Sequence, residues 1–323
     1  MTEPTRLPAG IALGGAVMVG VLTAAQSRIN GQLGLRLGDG FLAAVISFGS
    51  GLIVLVALVA AMPSGRRGFG RLRDGVRRRT IPWWMLAGGA AGALTVATQG
   101  LAVAVIGVSL FTVGVVAGQT VCGLVLDRAG YGPGGAVAVT IPRIVGGALA
   151  LLAVGISLQG GVLDRVPWWM LLLPFAAGIG IAWQQATNGR LRQRVGTPLV
   201  ATLVNFLGGT LILAVAALIH VLMVGMPGVL PSEPWLYLGG VIGVSYIVMS
   251  AALVVHTGVL LFGLGAVAGQ LITAFVLDAL WPSDAGPQWQ VGAVMILVAG
   301  AGVVVAATPW RRRFPRRRGI GRT

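Results

Sequence analysis

Residues 26–33 read QSRINGQL, and residues 184–191 read QQATNGRL. The likeness extends outward from both. Gly38 and an apolar run from Phe41 to Gly51 follow the first copy; Gly196 and a run from Leu199 to Gly209 follow the second. Phe48 and Phe206 recur at matching places. Each copy closes one long apolar run and opens another. Internal repetition decides a fold before any local pattern does. Here it predicts two related halves, residues 1–159 and 160–308, followed by an arginine-rich tail, 309–323.

Composition names the solvent. Of 323 residues, 56% are hydrophobic and 10% charged, where a soluble domain carries about a quarter charged. Runs of about 20 apolar residues, enough to cross a bilayer as a helix, fill most of the chain. Ten spans are expected, at 8–27, 41–62, 83–105, 108–127, 139–158, 168–188, 199–222, 235–255, 258–279 and 289–308. The expected fold is an all-α polytopic membrane protein. The 52 glycines would weaken soluble helices, but small residues let membrane helices approach closely.

The net charge of +15 does not call for nucleic acid. All basic residues are arginine, and they gather in loops and the tail. Arg66, Arg67, Arg71, Arg73 and Arg77 to Arg79 fill the segment after the second span. Arg311 to Arg313, Arg316 to Arg318 and Arg322 fill the tail. With ten spans these share one face with Arg6, Arg128, Arg143, Arg190, Arg192 and Arg194, against Arg28, Arg36 and Arg165 on the other. That asymmetry predicts both termini in the cytoplasm, in the plasma membrane of a bacterial cell. Trp83, Trp84, Trp168, Trp169, Trp235 and Trp281 stand near span ends, as an interfacial aromatic belt does.

Five spans are an odd number, so the second half enters from the opposite face. Inverted repeats are a recurrent transporter architecture, with the substrate site between them near the midplane. A second set of repeats supports the first. Gly114 to Gln119 (GVVAGQ) matches Gly265 to Gln270 (GAVAGQ), and Leu126-Asp127 matches Leu277-Asp278. Breaks are expected at Gly107 and Gly258. Gly88 and Gly92 match Gly239 and Gly243. With Gly114, Gly118, Gly265 and Gly269, these glycines are expected at close helix contacts.

Polar groups in hydrocarbon are costly unless satisfied, so the functional list is short. Gln26, Gln119, Gln184 and Gln270 are the candidate substrate-binding residues, since an amide both donates and accepts. The other reading of each is an interhelical hydrogen bond, and both stay open. Asn30 and Asn188 are expected at helix ends, where a left-handed residue is needed. Asp127 and Asp278 at matching span ends, with His256 beside a break, are the candidate coupling groups. Asp127 is expected in water or paired with Arg128. His220 reads as interfacial, and Cys122 as a packing residue. One cysteine and two separated histidines make no tetrahedral metal site. Without lysine there is no phosphate loop. No catalytic constellation or cofactor is implied.

The Gln-x-x-x-Asn-x-x-Leu motif, leading through glycine into a span with Phe48 or Phe206, resembles the YdcZ-type branch of the drug/metabolite transporter superfamily. The Ala-Gly-Gln…Leu-Asp motif in each half is similar to it too. The resemblance covers nearly the whole chain and implies a fused tandem of five-helix units. It implies alternating-access transport of small molecules, often export, with Gln26, Asn30, Gln119, Asp127, Gln184, Asn188, Gln270 and Asp278 at the motif positions. The small multidrug-resistance relatives use a first-helix glutamate, which spans one and six here lack. The expected function is a secondary transporter of small polar or amphipathic molecules. The expected partners are the bilayer and a small-molecule substrate, with a homodimer compatible. A lipid-carrier flippase on the same fold and a non-transporting membrane scaffold or receptor are the rival readings.

Overall fold

The computed structural model describes residues 8–157, 168–225, 230–280 and 289–308. Arg6, Arg165, Trp281 and the arginine tail lie outside them. Among these residues the α-helices are α1 Ala9–Leu37, α2 Gly40–Ala61, α3 Pro63–Arg77, α4 Gly88–Arg128, α5 Ile141–Ser157, α6 Leu172–Val195, α7 Pro198–Val224, α8 Gly239–Thr257, α9 Val259–Leu280 and α10 Trp289–Ala307. Short 3₁₀ turns precede α4, α6 and α8. Among the described residues, six helical segments are long and apolar enough to cross a membrane. The chain is a polytopic, all-helical membrane protein.

Its surface is inverted relative to a soluble bundle. Ile53, Leu211, Leu222, Met223 and Leu297 are exposed, whereas Gln26, Asn30, Gln99, Gln119, Gln184, Asn188, Asn205 and Gln270 are buried. A continuous apolar exterior of this kind suits contact with lipid.

The repeated stretch builds a tight helical hairpin twice. α1 continues past Asn30 to Leu37, and α6 continues past Asn188 to Val195. The asparagines are therefore inside their helices, which corrects the expectation of helix ends. The left-handed positions are Gly38 (φ 64°) and Gly196 (φ 78°), where a side chain would be strained. The next residue starts the following helix. Asp39 Oδ1 accepts from the backbone N–H of Phe41 (2.8 Å) and Leu42 (3.0 Å). Thr197 Oγ1 accepts from that of Leu199 (3.3 Å), with Pro198 in the first turn. Both are N-caps that satisfy free helix donors.

One other expectation needs correction. The segment after span two is helical, not a loop. Its helix α3 starts at Pro63, and Arg66 donates to the last carbonyls of α2, Ala60 (2.7 Å) and Ala61 (3.1 Å). Spans three and four lie within one helical run, α4. That run is not straight. A Cβ on Gly180 would lie 3.2 Å from Ala91, and one on Gly178 would lie 2.8 Å from the carbonyl carbon of Val115. Ala91 and Val115 are 24 residues apart (115 − 91), about 36 Å along a straight helix. Gly178 and Gly180 are one residue removed. α4 therefore doubles back between these contacts. In the second half the matching reversal is an open break at Gly258 (φ 79°), between α8 and α9.

Chain directions follow from the contacts. Along α8, Gly239 meets Asn30, and Val254 meets Gly189. Asn30 and Asn188 therefore sit at opposite ends of α8. At the Asn30 end Arg36 pairs with Glu233 (3.0 Å) and His220 with Asp39 (3.1 Å). At the Asn188 end Arg190 donates to the Gly130 carbonyl (2.7 Å), Arg192 to that of Ala252 (3.1 Å) and Arg71 to that of Val195 (3.5 Å).

Candidate functional site

Glycine sets the spacing where the two halves meet. A Cβ on Gly20 would lie 2.8 Å from Gln270 N, and one on Gly178 would lie 2.9 Å from Gln119 N. Gly269 faces the backbone at Val17 and Val21, and Gly118 that at Phe175 and Ile179. Gly265 packs on Leu13 and Ala16, and Gly114 on Pro174. Each contact has a counterpart with the halves exchanged. At such positions backbone approaches backbone, and any side chain would force the helices apart.

That close approach brings amides together. Gln270 Nε2 donates to Gln119 Oε1 at 3.2 Å across the halves, and both are 2% exposed. Among the described residues the Nε2 of Gln119 has no partner. Gln26 and Gln184 lie elsewhere on the seam. Gln26 Nε2 donates to the Gly239 carbonyl (2.7 Å) and abuts Gly243; Gln184 Nε2 donates to Asn205 Oδ1 (3.1 Å) and abuts Gly92. Gly243 also meets Phe206, and Gly92 meets Phe48. The two phenyl rings lie against each other, centroids 4.8 Å apart. Gln26 and Gln184 thus flank an aromatic pair whose members come from α2 and α7. Among the described residues Gln26 Oε1 has no partner either. A buried amide atom left unpaired costs about 1–3 kcal/mol, so these atoms are poised to bond a polar group that reaches them.

The asparagines behave alike but not identically. Asn30 packs against Gly239 and Asn188 against Gly88. Asn30 Nδ2 donates to Gln99 Oε1 (2.7 Å), whose Nε2 donates to Ser27 Oγ (3.0 Å). Among the described residues Asn188 Nδ2 has no partner, and Ser250 stands at the position that matches Gln99.

The coupling candidates separate. Asp127 is 1% exposed, not in water. Its Oδ1 accepts from Val259 N (2.7 Å), and its Oδ2 accepts from Leu260 N (3.0 Å) and from Arg143 (3.1 Å), not Arg128. It caps the first turn of α9 from the other half, where the break at Gly258 frees those donors. The side chain of Asp278 lies outside the described residues. His256 lines a cavity of about 640 Å³ at the Asn188 end, together with Arg143 and Arg192. A second cavity of about 520 Å³ at the Asn30 end is lined by Ala25, Arg28, Ile29, Gln32, Trp235 and Leu277. Among the described residues no group of three or more His, Cys, Asp or Glu is placed to hold a metal ion.

Some partners escaped sequence reading. Arg143 sits in the first turn of α5 with no motif to mark it, and Asp39 reads as a loop carboxylate until His220, 181 positions away, meets it. Tyr131 and Trp84 flank the Arg190 guanidinium at 4.8 and 5.7 Å. The signal for that pairing is only a conformational one.

A family model described as "Putative inner membrane exporter, YdcZ" matches the chain in two segments, residues 11–158 and 166–305. No curated protein matches. The family is one of membrane exporters rather than of enzymes, and its place is the inner membrane. With nearly the entire length matched, the chain belongs to the YdcZ family of drug/metabolite transporters.

Proposed function

We propose that the protein is a secondary transporter that exports small polar or amphipathic molecules by alternating access between two inverted five-span repeats. The repeats are residues 1–159 and 160–308, and the two arms of α4 serve as spans three and four. The observation that carries this reading is the exchange symmetry of the seam. Gly20 on the Gln270 segment is repeated by Gly178 on the Gln119 segment, and Phe48 meets its own counterpart, Phe206. Two similar halves of opposite direction have two nearly equivalent packings, one open to each side. Here glycine contacts form the sliding surface, and Gln26, Gln119, Gln184 and Gln270 meet the cargo as the seam opens. The arginine-rich Asn188 end faces the cytoplasm with both termini, by the asymmetry of basic residues.

The test is an untargeted comparison of metabolites inside and outside cells lacking the gene, cells restored with the wild-type gene and cells restored with a Gln119→Ala, Gln270→Ala variant. Export predicts one class of small molecules retained inside in the first and third and released in the second. Identical profiles in all three contradict the reading.

A further inference from the structure

The cavity at the Asn188 end is lined by two arginines and a histidine. Arg143, Arg192 and His256 come from α5, α6 and α8, with Gln193, Gly196 and Val137 completing the wall. Arg71 reaches the same wall at Gly196. The arginines are fixed rather than free-swinging. Arg192 is half-buried and held by the Ala252 carbonyl. The Arg143 side chain is 15% exposed and bonds Asp127 and the Thr257 carbonyl (3.4 Å). Asp127 offsets Arg143, and its oxygens are spent on Val259 N, Leu260 N and that arginine. Among the described residues no carboxylate lies within ion-pair distance of Arg192 or His256. A half-buried guanidinium without a counter-charge, that of Arg192, favours an anion that brings one, and its fork suits carboxylate and phosphate oxygens.

We propose that this cavity binds a small carboxylate or phosphate group, so that the cargo approaching from this side is an anion. The inference rests on the carrier reading above and gives it a substrate class. The cavity is wide enough for a metabolite-sized molecule. Arg192 is its principal contact, Arg143 holds the far side while tied to Asp127, and Gln193 supplies an amide. The anion is either free in the cytoplasm or carried on a lipid headgroup.

The experiment measures ligand-dependent thermal stabilisation of the full chain in nanodiscs. One set contains only phosphatidylcholine, and the other adds phosphatidylglycerol. Inorganic phosphate and succinate are titrated against sodium chloride of equal ionic strength. Variants are Arg192→Gln, Arg192→Lys, Val137→Trp and, as control, Arg73→Gln on α3. Val137→Trp fills the cavity without touching a charge and serves if Arg192→Gln does not fold. The proposal expects saturable stabilisation of wild type and Arg73→Gln. It expects affinity weakened about tenfold to a hundredfold in Arg192→Gln, the loss of one charge-assisted hydrogen bond, and partly recovered in Arg192→Lys. It expects binding lost in Val137→Trp. Stabilisation by phosphate or succinate in phosphatidylcholine assigns a soluble anion. Stabilisation only by phosphatidylglycerol, with the same variant dependence, assigns a headgroup. Wild type that gains nothing beyond chloride in either disc, or an unchanged response in Arg192→Gln or Val137→Trp, overturns the proposal. Binding is read without transport, so export without anion binding sinks this inference alone. Anion binding without export sinks the carrier reading and leaves the cavity's ligand standing.

Discussion

The Gln119–Gln270 bond separates structural glue from cargo contact, because the two roles respond differently to the same substitutions. One hydrogen bond at 3.2 Å joins the halves there, and interhelical bonds in membranes contribute about 0.6 kcal/mol on average. Replacing Gln119 with leucine removes the acceptor and leaves the Gln270 amide buried without its partner. That costs about 1–3 kcal/mol, more than the bond itself is worth. Gln270→Leu does the same in mirror image. The double replacement leaves neither amide and two apolar side chains of similar size, so its stability should return to within about 1 kcal/mol of wild type. Thermal unfolding in detergent reads this cycle, and the metabolite comparison reads export for each variant. If the pair binds cargo, the double variant is folded and inactive. If it is glue, the double variant is folded and active while the singles are impaired. A double variant that exports at the wild-type level refutes the assigned role. Additive losses of stability refute the geometry beneath it.

Further expectations follow from the seam and its caps. Gly20→Ala and Gly178→Ala put a methyl against the same backbone groups of opposite halves. Each should cost about 1–3 kcal/mol and the two should match, whereas Gly49→Ala, with open space around it, should leave thermal unfolding unchanged. Asp127→Asn removes the charge that offsets Arg143. It should cost about 3 kcal/mol, with faster amide exchange at Val259 and Leu260, and adding Arg143→Gln should restore part of the loss.

Which parts of this architecture the chain displays in its letters depends on what the letters control. The duplication was legible because the contacts that define it use side chains with no substitute: Gly20 and Gly178 at backbone contacts, Gly38 and Gly196 at positive φ, Phe48 and Phe206 against each other. The place of Asn30 and Asn188 was not. Asn-Gly reads as a helix stop when local preference is weighed alone, but burial against Gly239 and Gly88 holds both in mid-helix. The helix α3 was hidden because arginine-rich sequence reads as loop; its order comes from contact with Thr197, Val200 and the end of α2. At the candidate site, sequence named the glutamines but not their neighbours. Asp127 with Arg143 and Asp39 with His220 are tertiary pairs, and spacing along the chain carries no record of them.

A two-sided carrier of this kind requires α1 and α6 to run in opposite directions across the membrane. A Cys122→Ala background carrying either Leu35→Cys or Arg194→Cys, both exposed positions beyond the two Asn-Gly motifs, tests this with a membrane-impermeant thiol reagent on intact cells or spheroplasts. Leu35→Cys should react from outside, and Arg194→Cys only after the membrane is opened. Reaction of both from the same side would contradict the inversion and, with it, the two-sided carrier.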